Sequence, residues 1–382
     1  MNTPTPGTPT PSGPSLTRLL GYLAADPGNE RLRADIFDLA LAQGQFDTAQ
    51  DQATWLLSRR PADYAWRHRL VLLDMARQEW EEARLLLQSL IAEGQRDPVL
   101  TYNLAYIDHV QGRPEDAIAR LGPLVDGDAP RVPEALALML RCLHLAGRID
   151  DGVALFERHL DKNPPPAAWG AASLLALDGN RAELVHAWAD RALASDPLQH
   201  EALVAKGTML LGVRDTNGAL QHLQTALQRH PRDGRTWSAI GMAHLLALAL
   251  EPALDAFRRA VESMPSHIGT WHGMGWCQIL RRDLPAARRA FESALALDRN
   301  FGESHGAVAV VLALEGRVTE AEDAVRRAVK LDPANLSARY AGAVLSGETK
   351  DTERFARLAR AALGQHRTAD GKSLADVVLA RR

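Results

Sequence analysis

The sequence predicts an all-α chain of stacked helical hairpins, and three observations predict it. Prolines recur at a 34-residue step, from Pro27 to Pro61, Pro197 to Pro231 and Pro231 to Pro265, and at twice that step from Pro265 to Pro333. One amphipathic pattern repeats between them: GRTWSAIGMAHLLALALEPALDAFRRAVESMP is followed by IGTWHGMGWCQILRRDLPAARRAFESALALD. Composition agrees, because 46% hydrophobic and 24% charged residues with only 5% aromatics favour close-packed helices over a β-sandwich. By length alone, 382 residues read as two or three globular domains. A sustained internal period replaces that count with a single elongated array.

Each element has a local reason. Trp237, Ile240, Gly241 and His244 are three or four residues apart and share one face of a first helix; Ala253, Phe257 and Ala260 do the same on a second. Their equivalents Ala287, Phe291 and Ala294 follow one period later. Glycine and alanine let two antiparallel helices approach closely, and Trp, Leu and Phe fill the gaps. The closing proline ends the second helix and directs the chain into the next pair. Repeats are placed at 30–63, 64–97, 98–131, 133–165, 166–199, 200–233, 234–267, 268–301, 302–335 and a less regular 336–365. Residues 16–26 predict a lone helix over the N-terminal end with Ser15 as its N-cap. Residues 352–365 and 373–382 are amphipathic, and 366–382 are expected to form a C-terminal capping helix. Residues 1–15 read as a flexible Thr/Pro-rich tail. The Pro-rich joins at 128–133 and 163–166, and Trp188 beside a position that favours a small residue, predict a bend near 128–133 and 163–190.

This pattern resembles the tetratricopeptide repeat family over nearly the whole chain. The resemblance implies a right-handed superhelical solenoid of about ten antiparallel helix pairs with capping helices. It also implies that the first helix of each pair lines a concave face. Read at the family's inward positions, the sequence offers two different grooves. The first is polar, with His68, Arg69, Tyr102, Asn103, Tyr106, His109 and Arg141, a composition typical of recognition surfaces. Its plainer reading is a solvated helix face with Asp38 paired to Arg69. The second is small and apolar, with Thr208, Ser238, Met242, Leu245, His272, Trp276, Ile279 and Val310, and Trp276 and Met242 stand out as anchors. An apolar peptide, an amphipathic helix or the chain's own C-terminal helix could fill it, or tight closure of the superhelix could bury it. The lysine clamp and the asparagine ladder of other family members are missing at the matching positions.

Chemistry beyond binding finds little support in the residues. Cys142 and Cys277 are 135 residues apart, with no CxxC or Cys/His cluster, so no metal site and no disulfide framework is expected. No cofactor is expected either. Gly371-Lys372-Ser373 lacks the earlier glycine of a phosphate loop, and Gly273-x-Gly275 lies inside a repeat helix. No nucleophile motif is present, so catalysis is not expected. The N-terminus has neither the basic nor the apolar stretch of a secretory signal, and no run is long enough to span a membrane, so a cytoplasmic location is expected. Arginine far outnumbers lysine, a compositional mark of a GC-rich bacterial genome. The leading expectation is a non-catalytic scaffold or adaptor for a peptide or helix of a partner protein. A regulatory or targeting subunit of a separately encoded enzyme, or of a secretion or envelope assembly system, is the alternative. An RNA-binding solenoid is a distant third, because a net charge of −3 and an apolar second groove disfavour nucleic acid. The sequence assigns no oligomeric state.

Overall fold

A computed structural model describes residues 15–126 and 132–348, in two compact units divided between Arg148 and Ile149. Among the described residues there are twenty α-helices, one short 3-10 turn at Leu160–Lys162 and no strands. The first unit contains α1 (Leu16–Ala25), α2 (Glu30–Ala42), α3 (Phe46–Leu57), α4 (Tyr64–Ala76), α5 (Trp80–Ala92), α6 (Pro98–Val110), α7 (Pro114–Val125) and α8 (Ala135–Leu145). The second begins with α9 (Ile149–Glu157), then α10 (Pro166–Asp178), α11 (Ala182–Ser195), α12 (His200–Gly212), α13 (Thr216–Ala226) and α14 (Gly234–Leu246). It continues through α15 (Leu250–Ser263), α16 (Ile268–Leu280), α17 (Leu284–Leu297), α18 (Gly302–Leu314), α19 (Val318–Leu331) and α20 (Leu336–Leu345). Within each unit, each helix packs on the next in sequence order.

The first helices begin within two residues of the expected repeat starts, at 30, 64, 98, 135, 166, 200, 234, 268, 302 and 336. The reason is local. Asn29, Asp63, Asp97 and Asp233 each cap a first helix by accepting a backbone N–H, for example Trp66 N at 3.1 Å from Asp63 and Thr236 N at 2.7 Å from Asp233. The lone helix α1 also starts where expected, with Ser15 Oγ accepting from Arg18 N at 3.3 Å. The recurring tryptophan and proline are tied directly. Trp237 Nε1 donates to the Pro231 carbonyl and Trp271 Nε1 to the Pro265 carbonyl, each at 2.8 Å. α11 runs unbroken through Trp188, whose ring meets Phe156 edge-on at 4.9 Å. At the second Pro-rich join, Asn163 adopts a left-handed conformation and Pro166 starts α10. Residues 1–14, most of the 128–133 join, Gly371-Lys372-Ser373 and the expected helices at 352–365 and 366–382 lie outside the described residues.

The hairpin interiors follow from size matching. Phe257 of α15 is fully buried, and its ring occupies the space that a Cβ would need at both Gly241 of α14 and Gly273 of α16, 2.6 Å away in each case. Gly275 makes the same room for Phe291 of α17. Gly273 and Gly275 therefore serve helix packing, not a nucleotide loop.

Each hairpin reverses through one left-handed residue. The series runs Gly44, Gln78, Gly112, Gly147, Asn180, Arg214, Leu248, Arg282 and Gly316. Leu248 has φ 59° and is 60% exposed, so its side chain stabilises little and its backbone is strained. Leu248→Gly is expected to raise stability by about 0.5–1 kcal/mol, read as a higher denaturant midpoint. An unchanged or lower midpoint would show that the leucine contributes packing that offsets its backbone.

Candidate functional site

In the first unit, α4, α6 and α8 carry the expected polar residues at matching positions, and the structure brings several of them into contact. Asn103 Nδ2 donates to His68 Nε2 at 3.3 Å, so His68 accepts through a neutral ring. Tyr64 stacks on His68 with centroids 6.0 Å apart and donates its hydroxyl to Asp97 at 2.9 Å. Burial holds His68 below the usual imidazole range, with Asp97 opposing and Arg69 reinforcing. Burial, together with the Asp97 bond and charge, pushes Tyr64 up to about 12. His109 lies 3.5 Å from Cys142 Sγ and is also depressed, first by burial and then by Arg141. Tyr102 is half-buried and raised by burial and by Glu134, with Arg141 opposing. Tyr106 is 36% exposed and leans on Trp80 of α5, with centroids 6.4 Å apart.

Two of these residues are more enclosed than their register implied. Arg69 is paired with Asp38 through two contacts of 3.2 Å and lies over Trp66, which matches the plainer reading of that position. Asn103 is buried and takes part only through His68. His68, Arg69, Tyr102, His109 and Arg141 stay partly exposed and Tyr106 is exposed, with Tyr64 and Trp80 as neighbours that the inward register did not include.

In the second unit the apolar register is drier than expected. Val310 of α18 is fully buried beside Trp276, Ile279 and Tyr340, so its expected place on a groove wall is corrected to the interior. His272 of α16 is also buried. Its Nε2 and Ser304 Oγ are 2.9 Å apart, and its ring meets Phe291 and Phe301 edge-on. Burial pushes His272 down to about 4, so it is neutral. The physical reason is close approach between successive first helices, where small residues such as Ala307 and Gly306 leave no room for water.

What stays partly exposed forms a narrower set. Thr208 of α12, Ser238, Met242 and Leu245 of α14, and Trp276 and Ile279 of α16 all keep some solvent contact. Ser238 shares a 2.9 Å hydrogen bond with Thr270, whose hydroxyl is 2.8 Å from His267. Trp276 meets Phe291 at 5.8 Å and Tyr340 at 6.4 Å, so one side of its ring is already committed to packing.

Both cysteines are free and buried; burial pushes the thiols up to about 12 for Cys142 and about 11 for Cys277. Among the described residues, no three His, Cys, Asp or Glu side chains are placed to hold a metal ion, and no helix is long and apolar enough to cross a membrane.

A family model described as tetratricopeptide repeat matches residues 35–98, 102–168, 204–268 and 281–335, more than half of the chain. Tetratricopeptide repeat protein 33 of Xenopus laevis is 30% identical over 94 residues, which is 25% of this chain and only 36% of that relative's length. Among solved structures, a monomeric mutant of IFIT1 with Gppp-AAAA is similar in fold, with a TM-score of 0.57 at 13% identity and 91% of each chain covered. The pilF protein of Pseudomonas aeruginosa is 17% identical with a TM-score of 0.46, covering 54% of this chain and 95% of that one.

Proposed function

This chain belongs to the tetratricopeptide repeat family, and from that premise we propose that it is a non-catalytic scaffold holding a segment of a partner protein on its first helices. One observation carries the reading. Met242 and Leu245 on α14 and Trp276 and Ile279 on α16 sit at matching positions of neighbouring first helices, and all four remain partly exposed. Adjacent apolar side chains left in water are a cost that a bound apolar peptide or amphipathic helix removes. The partly exposed Tyr102 and Tyr106, with His109 and Arg141, give the first unit a second, polar face suited to hydrogen-bonded recognition.

Met242→Glu is the cleanest test, because it places a charge on the apolar face at a residue that water already reaches. Capture of the full chain from its source cells is expected to lose its apolar-face partner with this variant, with a modest fall in thermal midpoint because Met242 also packs on the cluster of Leu211, Leu223 and Ile240. Trp276→Ala is a poorer probe, since removing its contacts with Phe291 and Tyr340 costs stability as well. Full retention of every captured protein by Met242→Glu, with the same result for a Tyr102→Ala/Tyr106→Ala double variant, would overturn the assignment of both faces.

A further inference from the structure

The joint between α12 and α14 contains a cluster that the repeat does not require. His200 is the first residue of α12, and its side chain is 16% exposed. Its Nδ1 is 3.3 Å from the Ala226 carbonyl and its Nε2 is 3.5 Å from Asp233 Oδ2. Both ring nitrogens therefore face oxygen acceptors. A neutral imidazole has only one N–H and would turn a lone pair toward one of them, whereas the doubly protonated ring satisfies both. Asp233 is in turn the N-cap of α14, accepting from Thr236 N at 2.7 Å and from the Thr236 hydroxyl. His230 completes the cluster with its ring centroid 4.4 Å from that of His200. One period later, Gly234 takes the register of His200 and Met264 that of His230, so neither repeat geometry nor capping calls for these two histidines.

We propose that His200 and Asp233 form a proton-operated latch, which ties α12 to the start of α14 when the ring carries two protons and releases that joint when it carries one. The charges around it are accounted for. Glu201 of α12 adds negative potential, and Asp196, at the end of α11, is occupied by Arg229 at 2.6 Å. His230 and Arg232 lie on the turn before α14, and Arg235 of α14 is held by Asp178 of α10 at 2.6 and 2.9 Å. Burial works against charge on His200, and the bond and charge of Asp233 outweigh it, so the ring titrates above its ordinary value. Burial likewise opposes the Asp233 carboxylate, but His200 and Thr236 together hold it down to about 2. The sign follows. The latch is closed below about pH 6.5, the ordinary histidine value, and opens as pH rises through the raised value of His200.

The test is an NMR titration of the histidine rings in the full chain, with His200→Gln used to assign the His200 signal. Hydrogen exchange of the amides at 234–237, corrected for intrinsic base catalysis, is followed alongside it. The expected midpoint of His200 lies above 6.5 and falls to 6.5 or below in Asp233→Asn, a variant that keeps an N-cap side chain and loses the charge. Protection of those amides is expected to drop several-fold between pH 6 and 8.5 in the wild type and to stay level in Asp233→Asn. A wild-type midpoint at or below the ordinary value, a midpoint that Asp233→Asn leaves unchanged, or protection independent of pH would each overturn the latch.

Discussion

Asp108→Asn is expected to lower the stability of the first unit by about 3 kcal/mol, seen as a large drop in denaturant midpoint with little change in slope. The carboxylate is 1% exposed and receives three arginines from two helices and a turn: Arg84 at 2.8 Å, Arg113 at 3.4 Å and Arg120 at 2.7 Å. Removing its charge leaves Arg84 buried against a neutral group, and breaking a buried pair in this way is costly.

The same register one repeat earlier supplies the control. Asp74 occupies in α4 the place that Asp108 occupies in α6, but Gln50, Glu79 and Leu86 stand where the three arginines would be. Burial pushes the Asp74 carboxyl up to about 6, with Glu79 and Glu82 adding to the rise and Arg77 opposing it. A folded-state value above the unfolded one means that the native protein keeps its proton while the unfolded chain has lost it. The cost of Asp74 therefore develops as pH rises from about 4 to about 6 and is complete at neutrality. Asp74→Asn is expected to stabilise by about 1–2 kcal/mol at pH 7.5 and to be neutral at pH 4. Two identical substitutions at one register thus move in opposite directions. If both lowered the midpoint at pH 7.5, the arginine cage would not be what distinguishes the two sites.

Phe257→Ala is expected to cost about 3–5 kcal/mol, because the ring is fully buried where α14, α15 and α16 meet. Gly241→Ala is expected to cost about 1–3 kcal/mol by itself, since the added carbon enters the volume of the Phe257 ring. Combined with Phe257→Ala, that second cost is expected to vanish, because the ring it collides with has gone. Additive losses in the double variant would mean that the glycine serves some other purpose.

Much of this architecture is legible in the sequence because its causes are local. The closing prolines, the tryptophans that follow them and the Gly–Phe pairs each act within one or two repeats, so a period of 34 residues exposes them. Depth was not legible. The register identified which face Val310, His272 and Asn103 occupy, but whether water reaches that face depends on how closely the next first helix approaches. That distance is set by residues about a full repeat away, such as Ser304 against His272 and His68 against Asn103. The arginine cage around Asp108 escaped for a similar reason, since Arg84 and Arg120 come from different hairpins and a single-residue change at each removes it from the preceding repeat. The His200–Asp233 contact shows no periodic signal, because it is a departure from the repeat.

Site-specific photocrosslinking in the source cell asks whether the partly exposed face of α14 and α16 holds a protein segment. A photoreactive residue is placed at Met242, with controls at the exposed Arg258 of α15 and Glu292 of α17. One dominant adduct is expected from position 242, mapped by mass spectrometry to a single apolar or amphipathic segment of another protein and absent from both controls. Equal adducts from all three positions, or none from position 242, would contradict it.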